Sequence, residues 1–157
     1  MEYCLLTIGK TSTEWVREGI EQYTGRLRRY VRFALKELPD VKNARSLTAT
    51  QQKAAEGKLL ISEFSDSDII VLLDERGREY TSMEFSAWLD RLAAGGRKRV
   101  LFVVGGPYGF SEEVYARAMY KVSLSKMTFN HEMARLFFTE QIYRAMTILR
   151  GEPYHHE

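Results

Sequence analysis

Two short segments that follow apolar stretches contain residue types suited to ligand binding. Residues 105–109 read Gly-Gly-Pro-Tyr-Gly, and glycines let a backbone turn sharply and let a ligand approach it closely. Residues 74–79 read Asp-Glu-Arg-Gly-Arg-Glu, which is unusually charged for a passive connection. Each segment also has a simpler interpretation. The first can be a tight strand-to-helix turn, and the second can be a solvated loop.

A third candidate segment, residues 125–131, reads Ser-Lys-Met-Thr-Phe-Asn-His. Met127 and Phe129 are apolar side chains in what the pattern predicts to be an exposed connection. Something must therefore cover them: a ligand, a second subunit or the chain itself.

The C-terminal residues offer acid–base chemistry. Tyr154 can donate a hydrogen bond, and His155 can act as a base near neutral pH. A frayed terminus is the alternative. His131, His155 and His156 do not have the spacing of a zinc site, so we predict no metal site.

One motif is misleading. Gly9-Lys10-Thr11 resembles the end of a phosphate-binding loop, but that loop requires a glycine five positions earlier. Cys4 occupies the position, which argues against nucleoside triphosphate hydrolysis. Cys4 is the one cysteine of the chain, so no intrachain disulfide can form, and its apolar neighbours predict a buried side chain.

Apolar patterns divide the 157-residue chain into alternating strands and helices. Strands are predicted at residues 3–8, 31–35, 69–73, 100–104 and 122–124. Helices are predicted from a Thr11/Glu14 capping box, over 49–64, from a Thr81/Glu84 capping box to Gly95, over 111–119 and over 131–149. This alternation predicts a single α/β domain over residues 1–157, with a mainly parallel sheet and helices on both faces. Ligands bind such sheets at the carboxyl ends of the strands, where the candidate segments lie.

The last predicted helix is apolar on more than one face. Phe138, Ile142, Ala145 and Leu149 form one stripe, and other apolar residues lie outside it. A surface helix needs only one such stripe, so the pattern predicts a homodimer that buries the second face. The alternative is a helix central to its own subunit.

Charge and composition exclude several classes of protein. The chain has 23 basic and 21 acidic residues, a net charge of +2, which excludes a polycationic tail-like protein. No stretch approaches the roughly 18 apolar residues of a membrane helix, and the N-terminus lacks a signal-peptide pattern, so we expect a cytoplasmic protein without a membrane partner. Basic residues gather within 26–36 and at 97–99. Each group is either a solvated face or part of an RNA surface.

Five segments, taken in order, carry a resemblance to a known family. Residues 72–77, 102–109, 124–129 and 140–145, with the ending Pro153-Tyr154-His155, resemble the ribosomal large-subunit methyltransferase H family of SPOUT-class methyltransferases. The resemblance covers essentially the whole chain. It implies a C-terminal trefoil knot, which is a rare exception to unknotted folds.

The resemblance also implies a reaction. S-adenosylmethionine would be the cofactor, and N3 of a pseudouridine in large-subunit (23S) ribosomal RNA would be methylated by a homodimer acting on the assembled ribosome. The residues expected to bind the cofactor are Leu73, Gly105, Leu124, Ser125, Lys126, Met127, Thr128 and Phe129.

Methylation at N3 requires loss of a proton, so a base is expected. We assign this role to His155, positioned by Tyr154 and reaching the pocket of the other subunit. His131 is the second candidate base, and Arg135 or Arg144 is expected to stabilise charge. Two alternatives remain: methylation of another RNA such as tRNA, or a non-catalytic ribosome-binding factor.

Overall fold

The computed structural model describes residues 1–156 and contains one sheet with helices on both faces. The strands are β1 (Glu2–Ile8), β2 (Arg32–Leu38), β3 (Ile69–Glu79), β4 (Arg99–Val104) and β5 (Tyr120–Ser123). The helices are α1 (Glu14–Leu27), α2 (Ala49–Ile61), α3 (Ser82–Ala94), α4 (Glu112–Arg117) and α5 (His131–Leu149), with a short 3₁₀ turn at Ala44–Ser46. The α/β alternation predicted from the sequence is confirmed.

The sheet has the order β2-β1-β4-β3-β5, and every neighbouring pair is parallel. Its central strands are apolar throughout because both of their faces are covered. On β4, for example, Phe102 faces a core shared with α3 and α5, whereas Val103 faces a core shared with α2 and α4. Within the described residues, no helix is long and apolar enough to cross a bilayer.

Helix α5 lies against both α1 and α3 on one face of the sheet. Phe138 and Ile142 are fully buried there, and the Phe138 ring lies 4.6 Å from that of Phe102. Most of the broad apolar surface of α5 is therefore covered within its own subunit, which was the alternative to the dimer explanation. Phe137 and Leu149 remain exposed.

The predicted Thr11/Glu14 capping box is wrong. Thr13 is the N-cap of α1 and makes no side-chain capping hydrogen bond, while the Thr11 hydroxyl donates to Glu37 at 2.7 Å. A carboxylate distant in sequence takes over the capping role. Glu132, in the first turn of α5, accepts from Thr13 N at 2.9 Å and from the Ser12 hydroxyl at 2.8 Å.

Other helix boundaries differ less from the prediction. The Thr81/Glu84 capping box of α3 and the stop at Gly95 are confirmed. Helices α2 and α4 end earlier than predicted, at Ile61 and Arg117.

Strand β3 was predicted to end at Leu73, but it continues to Glu79. Leu73 and Arg78 both pair with Val122 of β5, so residues 74–77 form a bulge and the strand then resumes. Gly77 allows the bulge to close, because a Cβ there would lie 2.6 Å from the main-chain carbonyl carbon of Lys121. The charged segment is thus an excursion from a strand rather than a connection to the next helix.

Candidate functional site

A cavity of about 740 Å³ opens at the carboxyl ends of β4 and β5 and beside the bulge of β3. Its walls are the 74–77 bulge, the loop after β4 and the loop after β5, together with residues of α2, α4 and the start of α5. All but one of the residues predicted to bind the cofactor line it: Leu73, Gly105, Leu124, Ser125, Met127, Thr128 and Phe129. Lys126 does not, and its exposed side chain lies 3.8 Å from Glu79.

The loop after β4 forms one wall through its backbone. Gly109 has a φ of +79° and donates from its amide to the carbonyl of Gly106 at 3.1 Å, which closes a tight turn. Gly106 lies against Glu56 of α2: a Cβ at Gly106 would lie 2.5 Å from Oε1 of Glu56 and closer still to Oε2. The loop after β4 can therefore approach α2 this closely only with glycine at position 106.

Glu56 was not singled out from the sequence. It is only 5% exposed, and its Oε1 has no hydrogen-bond partner among the described residues. Burial, with a smaller contribution from Asp40, raises the pKa of the Glu56 carboxyl. The signal available in the sequence was an acidic residue one helical turn from buried Leu60, on the apolar side of α2.

The loop after β5 is held by short-range polar contacts. The Ser123 hydroxyl donates to the carbonyl of Ser125 at 2.9 Å, and the Met127 amide donates to the Ser125 hydroxyl at 2.9 Å. The Phe129 ring packs 5.0 Å from the ring of Phe137 on α5. The chain itself thus partly covers Phe129, whereas Met127 stays 77% exposed at the cavity.

The two carboxylates of the 74–77 bulge accept hydrogen bonds, two of them from neighbouring elements. Asp74 accepts from the Arg76 amide at 2.9 Å and from the Tyr115 hydroxyl. Burial and this hydrogen bond raise the pKa of Tyr115 to about 12, so its phenol stays protonated at neutral pH. Glu75 accepts from Thr128 at 2.8 Å and ties the bulge to the loop after β5.

A second group of polar residues joins α5 to the C-terminal segment, and we call it the tail cluster: Glu140, Arg144, Tyr154 and His155. Glu140 accepts from Nη2 of Arg144 at 2.7 Å and from the Tyr154 hydroxyl at 2.9 Å. Nη1 of Arg144 lies 3.0 Å from Nδ1 of His155. The structure thereby brings together two segments that the sequence only suggested separately.

The tail cluster bears on the tautomer of His155 and on the protonation of Tyr154. Arginine has only hydrogen-bond donors, so Nδ1 of His155 accepts from Arg144 and the proton of the neutral ring is on Nε2. Burial and hydrogen bonds with Tyr23 and Glu140 raise the pKa of Tyr154, which keeps its phenol protonated at neutral pH.

The tail cluster and the cavity lie at opposite ends of α5. His131 lines the cavity, and Arg144 follows it by thirteen positions, which is about 20 Å along a helix that rises 1.5 Å per residue. Neither Tyr154 nor His155 lines the cavity of its own subunit. His131 is therefore the histidine at the cavity.

Arg135 does not face a ligand. It is 1% exposed, and its guanidinium donates to the main-chain carbonyls of Gly9 and Ile8 and to Glu37. These contacts hold α5 to the ends of β1 and β2, so the expectation that Arg135 stabilises substrate charge is wrong. Within residues 1–156, no group of three or more histidine, cysteine or carboxylate side chains is arranged to hold a metal ion.

Several known proteins are similar in sequence to this chain over nearly its whole length. A family model described as "Predicted SPOUT methyltransferase" matches residues 1–155. The chain belongs to the SPOUT methyltransferase family. It is 53% identical over 157 residues to a protein of Parabacteroides distasonis, covering 100% of both chains. It is 52% identical over 152 residues to one of Christiangramia forsetii, covering 97% of both, and 46% identical over 157 residues to one of Bacteroides fragilis, covering 100% of both. Each of these relatives is named ribosomal RNA large subunit methyltransferase H.

Proposed function

We propose that this chain uses S-adenosylmethionine to methylate N3 of a pseudouridine in large-subunit (23S) ribosomal RNA on the assembled ribosome. The observation that carries the proposal is the similarity to relatives named for ribosomal RNA methylation, at 46–53% identity over 97–100% of both chains. The reaction would take place in the cytoplasm, where ribosomes are found.

The cavity supports the choice of cofactor. Its volume of about 740 Å³ lies within the range of roughly 300–1,000 Å³ for small-molecule sites. Leu73, Val104 and Leu124 give it apolar walls for a purine ring, and the backbone at Gly105 and Gly106 can be approached closely. When bound, the sulfonium of S-adenosylmethionine supplies an activated methyl group.

The residues of the chain then have to orient the substrate and remove the proton from N3. Because Nε2 of His155 carries the ring proton, we propose that it donates a hydrogen bond to the anion that develops on the pyrimidine as N3 is deprotonated. This role differs from the base expected from the sequence. His131, which lines the cavity, is then the candidate base. Arg144 positions His155 directly. Tyr154 acts through Glu140, which binds both Tyr154 and Arg144.

This mechanism requires two subunits, since Arg144, which contacts His155, lies about 20 Å along α5 from His131 at the cavity of the same chain. We propose a homodimer in which the tail cluster of one subunit completes the cavity of the other, and a trefoil knot formed by the loops after β4 and β5. Exposed aromatic side chains beside the start of α5 support an interface there. Trp15 is 61% exposed, and Phe129 and Phe137 form a partly exposed pair. Light scattering that finds only monomer at micromolar concentration would overturn the dimer.

Methyl transfer tests the function directly. Ribosomes from a strain lacking the enzyme are incubated with the protein and tritiated S-adenosylmethionine, and nuclease digestion then identifies the labelled base. Label at N3 of a pseudouridine in 23S RNA is the expected result. Label confined to tRNA would instead indicate another RNA target. Absence of cofactor binding by calorimetry at millimolar concentration would indicate a non-catalytic ribosome-binding factor.

The proposed role of His155 has a matched control in the neighbouring residue. His155→Ala should lower turnover at least 100-fold, by loss of one hydrogen bond to a developing anion, while cofactor affinity stays unchanged. His156 is exposed, so His156→Ala should retain wild-type turnover. Wild-type turnover in His155→Ala would remove His155 from the mechanism.

A further inference from the structure

The two basic clusters of the sequence meet in one cleft, at the edge of the sheet opposite the cavity. Glu2, Arg32 and Arg99 are register partners at the starts of β1, β2 and β4. A cleft of about 650 Å³ lies at these strand ends. We call it the basic cleft. Five cationic side chains line it: Arg28, Arg29, Arg32, Arg97 and Lys98.

The charge of the basic cleft is largely uncompensated. Glu2 is the one carboxylate among its lining residues, and within the described part of the chain none of the five cations forms a salt bridge. The whole chain carries a net charge of only +2. Positive charge is therefore concentrated at this edge, where the mutual repulsion of like charges favours a polyanionic ligand.

The aromatic ring in the cleft is already occupied. Arg29 and Arg150 lie over the Tyr30 ring, 5.8 and 4.8 Å from its centroid, and the Tyr30 hydroxyl donates to Glu152 at 2.5 Å. Stacking of a nucleic-acid base on Tyr30 would displace these contacts. Guanidinium groups, in contrast, bind phosphate oxygens through paired donors. The cleft is thus suited to a sugar–phosphate backbone rather than to bases.

We propose that the basic cleft binds the phosphate backbone of the RNA substrate at a position separate from the methylated nucleotide. The proposal rests on the proposed function for its choice of RNA as the polyanion. Strand β1 has seven residues, which at 3.3 Å per residue separates the two edges of the sheet by about 20 Å. One nucleotide cannot span both sites of one subunit, so the cleft would bind a part of the RNA backbone other than the methylated nucleotide.

A charge-matched pair of triple variants tests the proposal. Arg28→Gln/Arg32→Gln/Lys98→Gln removes three exposed cations from the cleft. The control Lys42→Gln/Lys58→Gln/Arg91→Gln removes three exposed cations elsewhere. Affinity for isolated large ribosomal subunits is measured as a function of salt, separately from methyl transfer, and calorimetry measures cofactor affinity.

The cleft variant should bind large subunits at least tenfold more weakly than the control. Its plot of log affinity against log salt should be shallower by about 2 to 3, since each phosphate contact contributes a slope near 0.9. Cofactor affinity should be unchanged, because the cavity lies at the other edge of the sheet. In the methyl-transfer assay, the KM for ribosomes should rise while kcat stays the same.

Equal affinity and equal salt dependence in the two variants would overturn the proposed role of the basic cleft, whether or not the wild type transfers methyl groups. If the wild type transfers no methyl group but the cleft variant still binds large subunits more weakly, the proposed function fails and the cleft stands. Vesicles containing phosphatidylglycerol test the other polyanion. If the cleft substitutions abolish vesicle binding and leave subunit binding intact, the assignment to RNA is wrong.

Discussion

The shape of the cavity depends on position 106 being a glycine, which has no side chain. Gly106 lies against the buried carboxyl of Glu56, so a larger residue at position 106 must displace either that carboxyl or the loop after β4. Interiors are densely packed and yield little to added atoms. At this scale, the contact between one glycine and one carboxyl holds the loop that forms a wall of the candidate cofactor site.

Gly106→Ala should therefore lower affinity for S-adenosylmethionine about tenfold, since overpacking costs roughly 1–3 kcal/mol, and calorimetry measures the change. Adding Glu56→Ala should restore much of the affinity by removing the clash. Gly25→Ala is the control: a Cβ there has no neighbour within 4 Å, so cofactor affinity should not change. Wild-type affinity in Gly106→Ala would contradict the steric argument.

Arg135 contributes to stability rather than to substrate binding. Its guanidinium is almost fully buried and pairs with Glu37 at 3.1 Å. Arg135→Met removes one partner of this ion pair and leaves two carbonyls without donors, so the free energy of unfolding should fall by about 3–5 kcal/mol. Urea denaturation measures it. Arg17→Met, on the exposed side of α1, should change stability by less than about 0.5 kcal/mol.

At the scale of elements, the start of α5 serves as the cap of α1. The side chain of Thr13 makes no capping hydrogen bond. The Glu132 carboxylate instead accepts from the Thr13 amide at that helix end. The hydrogen bonds from Thr13 and Ser12 lower the pKa of Glu132 to about 2. The two helices are thus linked by a charge-assisted contact as well as by their apolar faces.

Glu132→Gln should lower the free energy of unfolding by about 1–2 kcal/mol at pH 7. The pKa of Glu132 is about 2 in the folded state and 4.5 ordinarily. The carboxylate contribution is therefore complete above pH 4.5 and is lost as the pH falls through 2. The difference between wild type and variant should shrink below pH 4.5, as measured by urea denaturation. Glu18→Gln, an exposed site on α1, should show no such pH dependence.

At the scale of the whole molecule, the two ends of α5 separate functions that a reaction must combine. The cavity lies at one end and the tail cluster at the other, about 20 Å apart along the helix. A symmetric dimer resolves this separation by exchanging tails between subunits. The basic cleft adds a third site at the opposite edge of the sheet, which favours a substrate that extends beyond the methylated nucleotide.

Hybrid dimers test the exchange of tails. His155→Ala and Gly106→Leu subunits, co-expressed with different tags and purified as hybrids, should regain about half of wild-type turnover, because one of the two equivalent sites then has an intact cavity and an intact tail. Each homodimer should be nearly inactive. Hybrids as inactive as the homodimers would show that cavity and tail act within one subunit.

The sequence by itself determined the α/β architecture and the edge of the sheet where the cavity lies. Runs such as 100–104 and the Thr81/Glu84 cap depend on neighbours within one or two turns, so local patterns predict them. The same patterns placed the segments 105–109 and 124–129 after strands that are consecutive along the chain, and both segments line the cavity.

Only the tertiary structure decided which distant residues meet. The Thr11 cap failed because Glu132, more than a hundred positions away, reaches the end of α1 instead. Glu56 behind Gly106 and the β3 bulge opposite Val122 likewise depend on packing between elements. The joining of the basic clusters has the same origin. Local propensity is fixed by adjacent residues, whereas these contacts arise once the chain has brought its strands and helices together.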